Sequence, residues 1–191
     1  MLKIMSVAIA GVAAVTVVAA TVVVAAPAGI HSAYDVVMTT IDGKPMPFSQ
    51  YRGKVLLVVN TASFCGFTPQ YEALEQAQKT YAAKGFTVIG VPSGDFMGQE
   101  YKTNAEIKTF CESKFGINFP LSEKSVVTGA KATPFFAWAA ATLGASEAPK
   151  WNFHKYLVDR DGKIVASFGS KVKPDAPEVT AAIEKAIATK A

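Results

Sequence analysis

The chain has two cysteines, and they stand in different settings. Cys65 lies in NTASFCGFTPQYEAL, residues 60–74, between an aliphatic run and the start of a helical pattern. Ser63, Gly66 and Thr68 make its surroundings a loop, with Thr68 expected as the helix N-cap, Pro69 as the first helical residue and Glu72 in the first turn. A thiol at such a helix end meets partial positive charge and unpaired N–H groups, which favour the thiolate, the nucleophilic form. The competing reading is a small buried hydrophobe, because free cysteine is among the most buried residue types. Cys111 shares an expected helical face with Ile107, Phe110 and Phe115, where it is either core packing or a second redox thiol. No second cysteine lies three residues from Cys65, where Thr68 stands, so any disulfide here must be long-range.

The elements that must position these residues follow from periodicity and turn chemistry. Asp42-Gly43 joins two short extended pieces as a hairpin. KVLLVVN and FTVIGVP are continuous apolar runs of the kind buried in parallel sheets, and between them Tyr71, Leu74, Ala77 and Tyr81 mark a helix that stops at Gly85. Thr103 and Glu106 form a capping box for a helix through Lys114 that ends at Gly116. A shorter helix follows Pro134, from Phe135 to Leu143; KYLVD and KIVASFG flank the turn Arg160-Asp161-Gly162, and a last helix covers Ala176 to Ile187. This α/β order resembles the thioredoxin-like fold: a central mixed β-sheet flanked by helices, with an N-terminal hairpin. Ligands in such sheets gather outside the carboxyl ends of the parallel strands, where Cys65 lies.

Ahead of this domain, expected over residues 34–191, no residue from Ile4 to Ala26 is charged. With Lys3 before them and Ala26 and Ala28 after them, residues 1–28 read as a signal peptide cut after Ala28 or as a retained membrane anchor. Either one implies an exported protein, periplasmic or anchored facing the periplasm. No cysteine precedes Cys65, which excludes lipid attachment at an N-terminal cysteine. The net charge of +4 is scattered among acids without a basic face, so no nucleic-acid partner is expected. The two histidines, His31 and His154, do not make a metal site with the thiols, and no metal or cofactor is expected.

Four blocks in order, NTASFCGFTPQYEAL, GQE at Gly98 to Glu100, FGINFPL at Phe115 to Leu121 and WNFHKYLVDRDGKIV at Trp151 to Val165, resemble the glutathione peroxidase family. The likeness runs from about Val37 to the last helix. It implies a catalytic tetrad of Cys65, Gln99, Trp151 and Asn152, with Cys65 as the peroxide-attacking cysteine. It implies further that Cys111 is the resolving cysteine of the two-cysteine, thioredoxin-dependent, non-selenium branch. The activity implied is reduction of hydrogen peroxide or of organic and lipid hydroperoxides, as part of a response to oxidative stress. A thioredoxin-like protein or glutathione would be the reductant. The stretch from Leu121 to Trp151 is too short for the extra segment of tetrameric members, so a monomer is expected.

Some residues depart from the family pattern. Met97 replaces the first glycine of the Gly-x-Gln-Glu stretch, Gly94-Asp95 replaces Asn-Gln, and Phe64 replaces a lysine. Asp95 is expected to bring an acid near the thiol and Phe64 to remove a nearby positive charge, which together predict a slower or differently tuned enzyme. The alternative function is an exported disulfide exchanger or binding module, which the missing Cys-x-x-Cys pair disfavours.

Overall fold

Every residue of β3 (Val55–Thr61) and β4 (Phe86–Pro92) is buried, as continuous apolar runs require when both faces of a sheet are covered. The computed structural model describes residues 27–189. The expected leader, residues 1–28, lies almost wholly outside that range. β3 and β4 pair in parallel from Val55↔Phe86 to Thr61↔Pro92. β5 (Lys155–Val158) pairs antiparallel with β3, and β6 (Ile164–Phe168) antiparallel with β5, giving the order β4-β3-β5-β6. The expected mixed sheet is present. So is the expected hairpin, β1 (Val37–Thr39) against β2 (Pro45–Pro47), with Gly43 at φ +76° in its turn.

Alternation along the strands divides the core into two layers. Val55, Leu57 and Val59 point to one face, with Tyr71, Leu74, Ala77 and Tyr81 of α1 (Gln70–Tyr81), Ile107 and Cys111 of α2 (Asn104–Phe115), and Val179 and Ile183 of α4 (Pro177–Ala188). Leu56 and Val58 point to the other, onto Phe135, Phe136 and Trp138 of α3 (Pro134–Leu143) and Met38 and Met46 of the hairpin. Cys65 and Cys111 both belong to the first layer.

α2 is tied at its ends more firmly than along its length. The Thr103 hydroxyl accepts from Glu106 N–H at 3.3 Å while the Glu106 carboxylate accepts from Thr103 N–H at 3.0 Å, the expected capping box. Gly116 ends the helix in the left-handed region at φ +60°. Between these ends only Ile107 and Cys111 are fully buried; Phe110 and Phe115, expected on the same face, are half-buried.

Two connections were not foreseen from the sequence. Residues 120–123 run between β4 and the hairpin: Gly90 N–H donates to Pro120 O and Ser122 N–H to Gly90 O, while Ile41 N–H donates to Leu121 O and Glu123 N–H to Thr39 O, each at 2.9 Å. Gly90 permits the approach, since a Cβ there would lie 2.6 Å from Leu121 Cδ2. At the opposite end of the sheet from Cys65, the Arg160 guanidinium donates to the carbonyls of Gly53, Lys84 and Ile187, closing the base of the domain.

Candidate active site

Near the end of β3, after five aliphatic residues, stands Asn60, a fully buried amide. Its Nδ2 donates to Trp151 O at 3.1 Å, its Oδ1 accepts from His154 N–H at 3.0 Å, and its backbone carbonyl accepts from Phe153 N–H at 2.6 Å. One residue, by side chain and backbone together, therefore reads three of the four residues of the segment that leads into β5, a segment whose Phe153 is held in the left-handed region at φ +63°. Sequence reasoning passed over Asn60. The available signal was a polar residue at the carboxyl end of a buried run.

The next turn carries Cys65, which is 7% exposed. Thr68 holds it, in a manner that differs from the expected N-cap: its hydroxyl accepts from Cys65 N–H at 3.0 Å and donates to Ala62 O at 2.8 Å. The helix begins one residue later than expected, at Gln70, with Pro69 before it and no side-chain cap. Thr68 instead closes the loop on itself, because the carbonyl of Ala62 and the amide of Cys65 both lie within its reach. The Cys65 sulfur accepts one hydrogen bond among the described residues, from Phe67 N–H at 3.4 Å, so backbone dipoles at the mouth of α1 face it.

Gln99 reaches this loop from the turn after β4. Its carbonyl accepts from Phe64 N–H at 3.0 Å, and its Oε1 accepts from Asn152 Nδ2 at 3.0 Å. Asn152 is fully buried and its Oδ1 has no protein partner among the described residues. The half-buried Trp151 ring packs on Phe96, 5.6 Å between centroids. The structure thus joins Gln99 to Asn152 directly, and to the Cys65 loop through Phe64. None of the three amide or indole donors hydrogen-bonds the sulfur itself among the described residues, which leaves the Trp151 indole N–H free for a ligand.

Met97, at φ +56°, and Gly98, at φ +64°, make the sharp turn that delivers Gln99. Asp95, expected to crowd the thiol with negative charge, has its Oδ2 engaged by Val127 N–H, Thr128 N–H and the Thr128 hydroxyl at 2.7–3.0 Å. It latches a neighbouring loop. Phe64 is 55% exposed and packs on Tyr101 at 4.4 Å, so with the 80% exposed Met97 it gives the site an apolar rim. A cleft of about 540 Å³ opens beside Gly66 and Phe67, with Lys171 and Lys173 on its other wall.

Burial sets the charge state of the remaining groups. The Cys111 thiol is fully buried and pushed up to about 11, chiefly by desolvation and against the Tyr71 hydroxyl beside it, so it is protonated at neutral pH. His154 is pushed down to about 4 by burial, then by the charge of Lys155; its ring contacts the Ser167 hydroxyl at 3.0 Å and packs on Tyr156. It is a packed, neutral histidine. Both cysteines are free thiols.

The family model for glutathione peroxidase matches residues 33–140. This chain belongs to the glutathione peroxidase family. It is a peroxidase, an oxidoreductase acting on hydroperoxides. Among relatives of the family, it is 45% identical over 163 residues to a hydroperoxy fatty acid reductase of Synechocystis sp., covering 81% of this chain and 95% of that one. It is 43% identical over 150 residues to a glutathione peroxidase-like peroxiredoxin of Chlamydomonas reinhardtii, covering 76% and 93%. The crystal structure of Trgpx in apo form superposes with a TM-score of 0.65 at 32% identity, covering 83% of this chain and 97% of that one. The thioredoxin-like architecture and the non-selenium branch both agree with these relatives.

Proposed function

We propose that Cys65 is the thiol that reduces hydroperoxides, with Gln99, Trp151 and Asn152 as the donors around it and Cys111 as the resolving thiol. The observation that carries this reading is the Asn152–Gln99 hydrogen bond, joined through Gln99 O to the amide of Phe64 next to Cys65. It gathers, at one strand end, the thiol and its uncharged donors from three distant parts of the chain.

The chemistry follows from their types. The Cys65 thiolate attacks one peroxide oxygen, the O–O bond breaks, and the departing oxygen takes a proton and leaves as water or an alcohol. Cys65 becomes a sulfenic acid. Amide and indole N–H groups stabilise the negative charge that develops on the departing oxygen, and the free Trp151 N–H is available for it. Cys111 then gives up its proton and attacks the Cys65 sulfur, forming a disulfide and releasing water. Because burial keeps Cys111 protonated, α2 must first release it from the core. A dithiol or thiol donor completes the cycle by exchange.

For the donor we favour a thioredoxin-like protein, with glutathione as the alternative, since several similar relatives are named peroxiredoxins. The rim of Phe64 and Met97 suits an acyl chain, in keeping with the name of the Synechocystis relative, so organic hydroperoxides are proposed beside hydrogen peroxide. The uncharged leader supports export to the periplasm, and the enzyme is proposed to act as a monomer. Cys65→Ser is expected to keep the fold and lose hydroperoxide reduction, measured as peroxide consumed by purified protein with a thiol reductant. Retained turnover in that variant ends the proposal.

A further inference from the structure

Lys155 stands on the face of β5 that belongs to the core. It shares that face with Leu157, opposite Val59 of β3 and Phe168 of β6, and it is fully buried. No carboxylate forms an ion pair with it among the described residues. Its ammonium donates instead to two carbonyls, Phe153 O at 2.6 Å and Val172 O at 2.7 Å. A buried, unpaired cation is a poor way to fill a core, since an apolar side chain of similar volume would avoid the desolvation. The two carbonyls explain it. Phe153, in the left-handed region, turns its carbonyl out of the β3–β5 ladder, and Val172 lies in the irregular loop between β6 and α4. Both need a donor that the sheet does not supply.

We propose that Lys155 is a positioning residue of the peroxide site: its buried ammonium ties the Phe153 carbonyl to the loop at Val172 and thereby holds Asn152 against Gln99 and Trp151 against Phe96. Asn60 fixes the segment from the β3 side through the carbonyls of Trp151 and His154 and the amides of Phe153 and His154, and Lys155 takes up the Phe153 carbonyl, which Asn60 does not reach. The Val172 end carries the tie to the cleft wall formed by Lys171 and Lys173. The inference rests on the reading of Cys65 as the peroxide-reacting thiol.

Burial lowers the Lys155 ammonium to about 7, so the tie loses its charge assistance as pH rises through that value. The ionisable groups on the surrounding elements are Cys65 ahead of α1, Tyr71, Glu72, Glu75, Lys79 and Tyr81 on α1, His154 just before β5 and Tyr156 on it, Lys171, Lys173 and Asp175 in the β6–α4 loop, and Glu178, Glu184 and Lys185 on α4; β3 and β6 carry none between their bounds. These groups remain in Lys155→Met, so the difference between the two pH profiles belongs to Lys155.

The experiment is the rate of Cys65 oxidation by hydrogen peroxide from about pH 6 to about pH 9, divided at each pH by the thiolate fraction read from ultraviolet absorbance. Wild-type protein is expected to show a normalised rate that falls several-fold across this range. Lys155→Met is expected to be roughly tenfold slower at the acid end, with a flat profile, as a misaimed donor set requires. A Lys155→Met protein with the wild-type rate and profile overturns the proposal, and so does a flat wild-type profile. Should Lys155→Met not fold, Lys155→Arg, which keeps its charge across the whole range, takes its place, and a fall with pH as steep as that of the wild type overturns the proposal. Failure of either kind leaves the peroxidase reading standing, whereas peroxide consumption by Cys65→Ser defeats that reading itself.

Discussion

Asn60, Thr68 and Met97 do their work through positions that a side-chain inventory does not reveal. Cys65 stands out as a candidate because a thiol between a buried strand and a helix start is chemically conspicuous, whereas Gln99, Trp151 and Asn152 become candidates only through family likeness. Asn60 binds backbone groups far along the chain, and Thr68 closes its own loop where a helix cap is expected, so their roles appear only once the chain is folded. Met97 shows a residue paying a conformational cost: a left-handed φ of +56° in a side chain that is 80% exposed gains little from packing. The left-handed region costs a side chain with a Cβ about 1 kcal/mol. Met97→Gly is therefore expected to raise the unfolding free energy by up to about 1 kcal/mol in denaturant titration, offset in part by unfolded-state entropy. A loss of stability would show that the Met97 side chain has a packing role.

Among the elements, β3 and β4 could be read directly, since seven consecutive buried residues in each left no polar alternation to mislead. α2 could be read from its capping box. What the box did not disclose is how thinly the helix is rooted, with two fully buried residues between its caps. The strand-like run at residues 120–123 stayed hidden because its partners, Gly90 and the hairpin, are distant in sequence. A loosely rooted α2 is what resolution by Cys111 requires. Thr103→Ala removes one cap, at a cost of about 1 kcal/mol to the helix. It is expected to speed amide exchange in α2 and to raise the rate of disulfide formation after a single peroxide addition. Faster exchange with an unchanged disulfide rate would separate α2 opening from resolution.

On the scale of the whole molecule, the two ends of the sheet differ in character. Arg160 closes the base with bonds to three carbonyls, while the top gathers Asn60, Lys155 and Asn152, buried polar groups that bond the backbone leading into β5, the Val172 loop and Gln99. Such a top is sensitive to pH. His154, lowered to about 4 in the fold, binds a proton on unfolding at any pH between that value and its ordinary range, so it stabilises the fold above that range and the contribution is lost as pH falls toward 4. The unfolding free energy is expected to drop by up to about 3 kcal/mol between pH 7 and pH 4 from this group. His154→Gln, which can still meet the Ser167 hydroxyl, should lose less over the same interval; an equal loss would place the acid sensitivity elsewhere.

The most direct test of the account is a single addition of one equivalent of hydrogen peroxide to the fully reduced protein without reductant, followed by mass spectrometry of a nonreduced digest. The account predicts a peptide pair joined by a disulfide between Cys65 and Cys111. Peroxide consumed with both cysteines recovered as free thiols would contradict it.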